Sequence, residues 1–219
     1  MFTSVVPSIV GDNIAVTTRR GSLLFLDQRG KTVSELKLIT GTEESLFSAV
    51  PSEEVGVFYI QASHSLIRVA SNSLDWRTEL KEPTGSDFAT VSGDRVIVAL
   101  ASGEIVAMDS MGEVLWRFDS GYSIGGSRPI IYKKTVIAAN QDGKIFNLDL
   151  MSGHVNWSSS HSSGNSFGAC ISGSKYYVLS GGDKTVVLDC LTGEVLRRAS
   201  SGATYSGILG CAERPEMVT

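Results

Sequence analysis

One sequence unit recurs five times along the chain, at an interval of about 40 residues. Its plainest copy is Gly103 to Trp116, Gly-Glu-Ile-Val-Ala-Met-Asp-Ser-Met-Gly-Glu-Val-Leu-Trp. Gly143 to Trp157 repeats it, and Asp183 to Arg197 carries Val-Leu-Asp-Cys-Leu-Thr-Gly-Glu-Val-Leu inside it. Two weaker copies come first: Gly21 to Ser34, with Gly30 in its turn, and His64 to Trp76, where Ala70 stands at the aspartate position. Aligned on that position the copies sit at 27, 70, 109, 149 and 189, so the steps are 43, 39, 40 and 40. A fixed period of this length restricts the chain to solenoids, propellers and related arrays.

Within each period the apolar residues alternate or run continuously between short turn signals, with almost nothing at helical spacing. Four short strands fit each copy. In the third they are expected at Phe88 to Val91, Arg95 to Leu100, Ile105 to Asp109 and Val114 to Phe118, with Gly93-Asp94 and Ser102-Gly103 supplying hairpin turns that need positive φ. Four antiparallel strands per repeat define an all-β fold, a β-propeller. The chain reads as one domain, with blades at 3–40, 46–80, 88–120, 127–160 and 167–200 and a partial blade or closing strand at 203–219.

The string small-x-Asp-x-x-[Thr/Ser]-Gly-x-x-x-Trp, fullest at Asn147 to Trp157, resembles the blade signature of the propellers named after pyrroloquinoline quinone, the quinoprotein dehydrogenase-like superfamily. The third copy is one residue shorter in its turn, and the fifth keeps Asp189, Thr192 and Gly193 but ends in Arg197. The first has Ser34 for the tryptophan, and the second keeps Trp76 without the aspartate. The resemblance implies a propeller and admits outer-membrane assembly scaffolds, sensor domains and quinone enzymes. Fold likeness does not choose among them.

The residues singled out are Asp27, Asp109, Asp149 and Asp189, Gly112, Gly153 and Gly193, and Trp76, Trp116 and Trp157. Aspartates that recur at every turn are expected to accept backbone N–H bonds there rather than to act as a catalytic pair. The indoles are expected to pack between adjacent blades, each N–H bonded to a neighbouring carbonyl. Seams are then looser where the ring is missing, at Ser34 and Arg197.

Other motifs point to no chemistry. A net charge of −4 with Lys and Arg scattered lacks the basic face that nucleic acid requires. Two Gly-x-Ser-x-Gly matches, Gly121 to Gly125 and Gly164 to Gly168, lack a following helix and read as crossovers between blades. His64, His154 and His161 sit in turns without a metal-ligand spacing, and Gly181 to Thr185 is no phosphate loop. The three cysteines, Cys170, Cys190 and Cys211, indicate neither a zinc site nor a disulfide framework and read as buried thiols, with a Cys170–Cys190 bridge as the alternative. Asn156-Trp157-Ser158 fits the glycosylation triplet, but its tryptophan belongs to the blade signature.

The expected function is a non-catalytic binding or scaffolding propeller with no cofactor and a protein or peptide partner. Its candidate surfaces are Thr40 to Ser45, Ser52 to Glu54 and Lys81 to Asp87. The alternative is a fragment of a quinone-dependent dehydrogenase. That part of the resemblance implies a cofactor held against a tryptophan, calcium, eight blades and often a disulfide between adjacent cysteines, which this sequence lacks. A five-bladed glycosidase ring would need paired carboxylates on innermost strands, where Phe88 to Val91 and Gly168 to Ile171 offer none. Two ring states stay open, a closed five-bladed ring and an incomplete propeller that self-associates through open edges; the reading favours the second. No span of about 20 apolar residues and no signal peptide is visible, so a soluble chain is expected, cytoplasmic unless a leader has been removed.

Overall fold

The structure is a computed structural model that describes residues 7–200 apart from positions 11, 19, 41–43, 85–88, 125–127, 161–165 and 181–183. Its strands form five four-stranded antiparallel sheets, each laid down in chain order, with no helix among the described residues. The first holds β1 (Ser8–Val10), β2 (Asn13–Thr17), β3 (Ser22–Leu26) and β4 (Thr32–Lys37), and the second β5 (Leu46–Pro51), β6 (Val57–Ala62), β7 (Ser65–Ala70) and β8 (Ser73–Glu79). The third holds β9 (Thr90–Ser92), β10 (Arg95–Ala99), β11 (Glu104–Met108) and β12 (Val114–Asp119), and the fourth β13 (Ile130–Tyr132), β14 (Thr135–Ala139), β15 (Lys144–Asp149) and β16 (Val155–Ser160). The fifth is β17 (Ser166–Ser172), β18 (Lys175–Ser180), β19 (Lys184–Asp189) and β20 (Val195–Ser200). The fold is a β-propeller.

The two middle strands of each blade are apolar on both faces because each sheet is packed between neighbours. In the third blade Val96, Ile97, Val98 and Ala99 pair with Met108, Ala107, Val106 and Ile105, and all eight are buried. Continuous apolar runs of this kind mark strands covered on both faces. The outermost strands β4, β8 and β16 alternate between exposed and half-buried residues, as strands with one wet face do. Four hydrophobic clusters lie between consecutive sheets, the first joining Leu23 to Phe58 and Ile67 and the last joining Ile137 and Ile145 to Tyr176 and Leu188. The innermost strands β1, β5, β9, β13 and β17 each meet the next, which places the axis beside them.

Every third-to-fourth strand pair shifts register at the same place: Phe25/Leu26, Arg68/Val69, Ala107/Met108, Asn147/Leu148 and Val187/Leu188. A bulge at that point adds local twist and starts the turn that carries the aspartate. In the third blade this ends β11 at Met108, since Asp109 leaves the ladder and bonds through its N–H to the Glu113 carbonyl at 3.0 Å. The expected closing segment 203–219 lies outside the described residues, as does Phe88.

One cysteine, Cys170, differs from expectation. Cys170 is disulfide-bonded, while Cys190 is a free, buried thiol. A Cys170–Cys190 bridge is prevented by strand alternation. Cys170 pairs with Tyr177, in register with Val187, on one face of the fifth sheet, whereas Cys190 belongs to the cluster on the opposite face, toward the fourth blade.

Candidate functional site: blade seams and the turn face

Each signature aspartate sits at the mouth of the turn between the third and fourth strands. Asp27 Oδ1 accepts the N–H groups of Arg29 and Lys31, both at 2.9 Å. Asp109 accepts those of Met111 and Glu113, also at 2.9 Å. Asp149 accepts Met151 at 3.1 Å and Ser152 at 2.8 Å, with the Ser152 hydroxyl donating at 2.8 Å. Asp189 accepts Leu191 at 2.8 Å and Thr192 at 2.9 Å, with the Thr192 hydroxyl at 3.3 Å. Bonds to the charged form favour ionisation. The Ser152 hydroxyl, and after it the backbone N–H groups, hold Asp149 below the ordinary carboxylate value; for Asp189 the Thr192 backbone N–H is the main cause.

In the third, fourth and fifth blades the glycine that closes the turn meets the tryptophan of the preceding blade. Trp76 Nε1 donates to the Ser110 carbonyl at 2.9 Å, Trp116 to that of Leu150 at 3.0 Å, and Trp157 to that of Cys190 at 3.1 Å. A Cβ added to Gly153 would lie 2.7 Å from two ring carbons of Trp116, and one on Gly193 2.6 Å from two of Trp157. On Gly112 it would lie 2.6 Å from Thr78 Oγ1 and 3.1 Å from Trp76 Cε3. Only glycine accepts both this approach and the φ of +72° found at Gly153 and Gly193. Each contact spans one blade seam.

The first seam lacks both halves of the contact. The first blade has Ser34 at the ring position, and the second replaces the aspartate-to-glycine turn by a two-residue hairpin, Ser71-Asn72, with φ of 48° and 64°. Asn72 Nδ2 donates to Ser34 Oγ at 3.2 Å in place of the indole. Gly30 keeps the turn and a φ of +77°, but nothing lies within 4 Å of its Cβ position. Arg197, at the ring position of the fifth blade, is exposed.

Of the expected surface features, two are tied down. Glu44 is turned inward, accepting the His64 N–H at 3.1 Å, the Ser65 hydroxyl at 2.7 Å and Arg77 at 2.6 Å. Glu54 pairs with Arg68 at 3.0 Å, and Arg68 also pairs with Asp75. Thr84 bridges to Leu100, and positions 85–88 lie outside the described residues. His64 and His154 occupy turns, and His161 is outside the described residues. Gly121 to Ile124 lies in the crossover from β12 to β13, whereas Ser166 to Gly168 is already part of β17. Beside the axis, β5, β9 and β13 line an open depression of about 320 Å³ that includes Thr90, Ser92 and Arg128.

One surface pattern went unread in the sequence. The turn between first and second strands and the turn between third and fourth strands lie at the same end of every blade, joined by Leu150 N–H to the Lys134 carbonyl at 2.9 Å and Cys190 N–H to that of Ser174 at 2.8 Å. On this face Met111, Met151 and Leu191 are 73%, 61% and 56% exposed. All three stand two residues after the signature aspartate, so aligning the repeats on Asp109, Asp149 and Asp189 would have shown them.

The geometry defines a PQQ-like propeller, in which aspartate turns and indole contacts repeat from blade to blade. A family profile described as "Outer membrane protein assembly factor BamB" matches residues 63–208, more than half of the chain, and the chain belongs to that family. Among solved structures, BamB from Moraxella catarrhalis superposes with a TM-score of 0.77 at 19% identity, covering 94% of this chain and 66% of that one. The computationally designed Ika8 protein matches with a TM-score of 0.78 at 13% identity, over 93% of this chain and 64% of that one. The chain thus spans just under two thirds of the length of each. At these identities the two structures speak for the fold alone. No curated protein matches significantly.

Proposed function

We propose that the chain is a non-catalytic scaffold that holds a protein partner, acting in the assembly of outer-membrane proteins as the family description states for its namesake. The family match over residues 63–208 carries this reading. The bonding of the repeated carboxylates supports it, because Asp27, Asp109, Asp149 and Asp189 spend an oxygen on their own turn N–H groups. Such groups stiffen a display surface. A propeller then offers its turns as a broad contact face, the usual use of loops on a rigid frame.

The test is a pair of titrations on the purified chain. Calorimetry against outer-membrane assembly proteins of the same organism is expected to give saturable binding with one of them. Addition of pyrroloquinoline quinone with calcium is expected to leave tryptophan fluorescence unchanged. Calcium-dependent quinone binding with dye-linked dehydrogenase activity, and no protein binding, would reverse the assignment.

A further inference from the structure

The two ends of the propeller differ in their exposed apolar side chains. Met111, Met151 and Leu191 project from the outer turns of the third, fourth and fifth blades, and Val55, 97% exposed, lies on the inner turn of the second at the same end. The exposed Val114, Leu115, Val155 and Leu196 open the outermost strands beside those turns. At the opposite end Tyr122 is the large apolar residue exposed among the described residues. Exposed apolar side chains concentrated at one end of a protein are a feature shared with interaction sites. Two of its three apices are methionines, which adapt their shape to a partner.

Charge on the same face is arranged radially. Lys133 and Lys134 on the inner turn of the fourth blade and Lys175 at the start of β18 in the fifth are all exposed, and among the described residues none of the three enters a salt bridge. Arg95, on the third blade, is neutralised by Asp94 at 3.2 Å and reaches Met151 Sδ at 3.6 Å, so inner and outer rings touch across a seam. The acidic groups of Asp109, Asp149 and Asp189 are held by turn N–H groups, and Glu113 and Glu194 stand exposed on the outer turns. Lys134 and Lys175 are therefore cations without a carboxylate partner inside an apolar rim, while Lys133 lies 5.2 Å over the Tyr132 ring with its charge also felt by Asp189, on a chain whose net charge is −4.

We propose that this turn face, across the third to fifth blades, docks an acidic amphipathic segment of a protein partner. Its apolar side chains lie on Met111, Met151 and Leu191, and its carboxylates meet Lys133, Lys134 and Lys175. The inference rests on the scaffold reading and names the face and chemistry by which the scaffold binds. Charge complementarity selects the segment, and the apolar apices anchor it.

Fluorescence anisotropy tests this with labelled peptides alternating Leu with Glu, Leu with Lys, and Ser with Glu. The Leu/Glu peptide is expected to bind best, and more weakly as salt rises. The combined change Met111→Ser, Met151→Ser and Leu191→Ser is expected to weaken it by about tenfold or more, as loss of interface anchors does. Lys133→Gln with Lys134→Gln and Lys175→Gln is expected to do likewise, while Tyr122→Ser leaves binding intact; all these positions are exposed, and circular dichroism checks the fold. Equal binding of the Leu/Lys peptide, or indifference to both sets of changes, overturns the proposal. So does selective loss of binding to phosphatidylglycerol vesicles with no peptide binding, which would assign the face to a membrane. Peptide binding lost only in Tyr122→Ser overturns the face but leaves the scaffold reading standing. Absence of any peptide binding together with calcium-dependent quinone binding overturns both.

Discussion

Gly153→Ala and Gly30→Ala are comparable perturbations, because both glycines close a third-to-fourth strand turn, four residues after Asp149 and three after Asp27, with nearly the same φ, +72° and +77°, but differ in what faces them. At Gly30 nothing lies within 4 Å, so alanine costs only the left-handed backbone, about 1–2 kcal/mol. At Gly153 the new methyl would sit 2.7 Å from Trp116 ring carbons, adding an overpacking cost of about 1–3 kcal/mol. Trp116→Ala alone removes a ring that is 8% exposed and bonded to Leu150, a loss of about 3 kcal/mol or more. With the ring gone the methyl has room, so Gly153→Ala in that background should fall back to about 1–2 kcal/mol. The double mutant is then more stable than the sum of the singles by about 1–3 kcal/mol. Urea unfolding of the four proteins and of Gly30→Ala measures this, provided m is unchanged. Equal costs at Gly30 and Gly153, with additivity within about 0.5 kcal/mol, would refute the seam geometry, as would a Trp116→Ala loss below about 1 kcal/mol.

Three further outcomes are expected. Ser34→Trp should not raise the urea midpoint, because the Ser71-Asn72 hairpin offers no glycine to receive an indole; a gain comparable to the Trp116→Ala loss would contradict the pairing of ring and glycine. The folded-state values of Asp149 and Asp189 are lowered, so their contribution is present above the unfolded carboxylate value of about 4 and lost as pH falls through the folded value. Stability should accordingly drop as pH falls below the unfolded carboxylate value of about 4, and Asp149→Asn should flatten that acid limb. Burial pushes the Cys190 thiol up to about 11, so iodoacetamide at pH 8 should leave it unmodified by peptide mass spectrometry until denaturant is added.

The architecture was legible because it depends on period and alternation, both of which survive substitution. Five recurrences near Asp27, Ala70, Asp109, Asp149 and Asp189, with strands too short for helices, leave little but a propeller. The turn and ring residues were visible one at a time, but their meeting was not. Trp116 contacts Gly153 rather than the Gly112 of its own repeat, and the joint absence at Ser34 and Ser71-Asn72 has meaning only once that one-blade offset is known. Glu44 read as a solvated loop because nothing in Thr40 to Ser45 announces that His64, Ser65 and Arg77 will face it. The Cys170 disulfide was hidden by an odd cysteine count, and the exposed apices Met111, Met151 and Leu191 went unread because only the fold joins them on a common face.

The most direct check on the account is the exchange of the three indole N–H protons, read as side-chain resonances in a nitrogen-15 correlation spectrum. Each of Trp76, Trp116 and Trp157 donates to a carbonyl of the next blade, so all three protons should exchange far more slowly than in unfolded chain and be released together with the core strands. Indoles that exchange at unfolded-chain rates while the strand amides stay protected would mean that the rings do not stitch the blades.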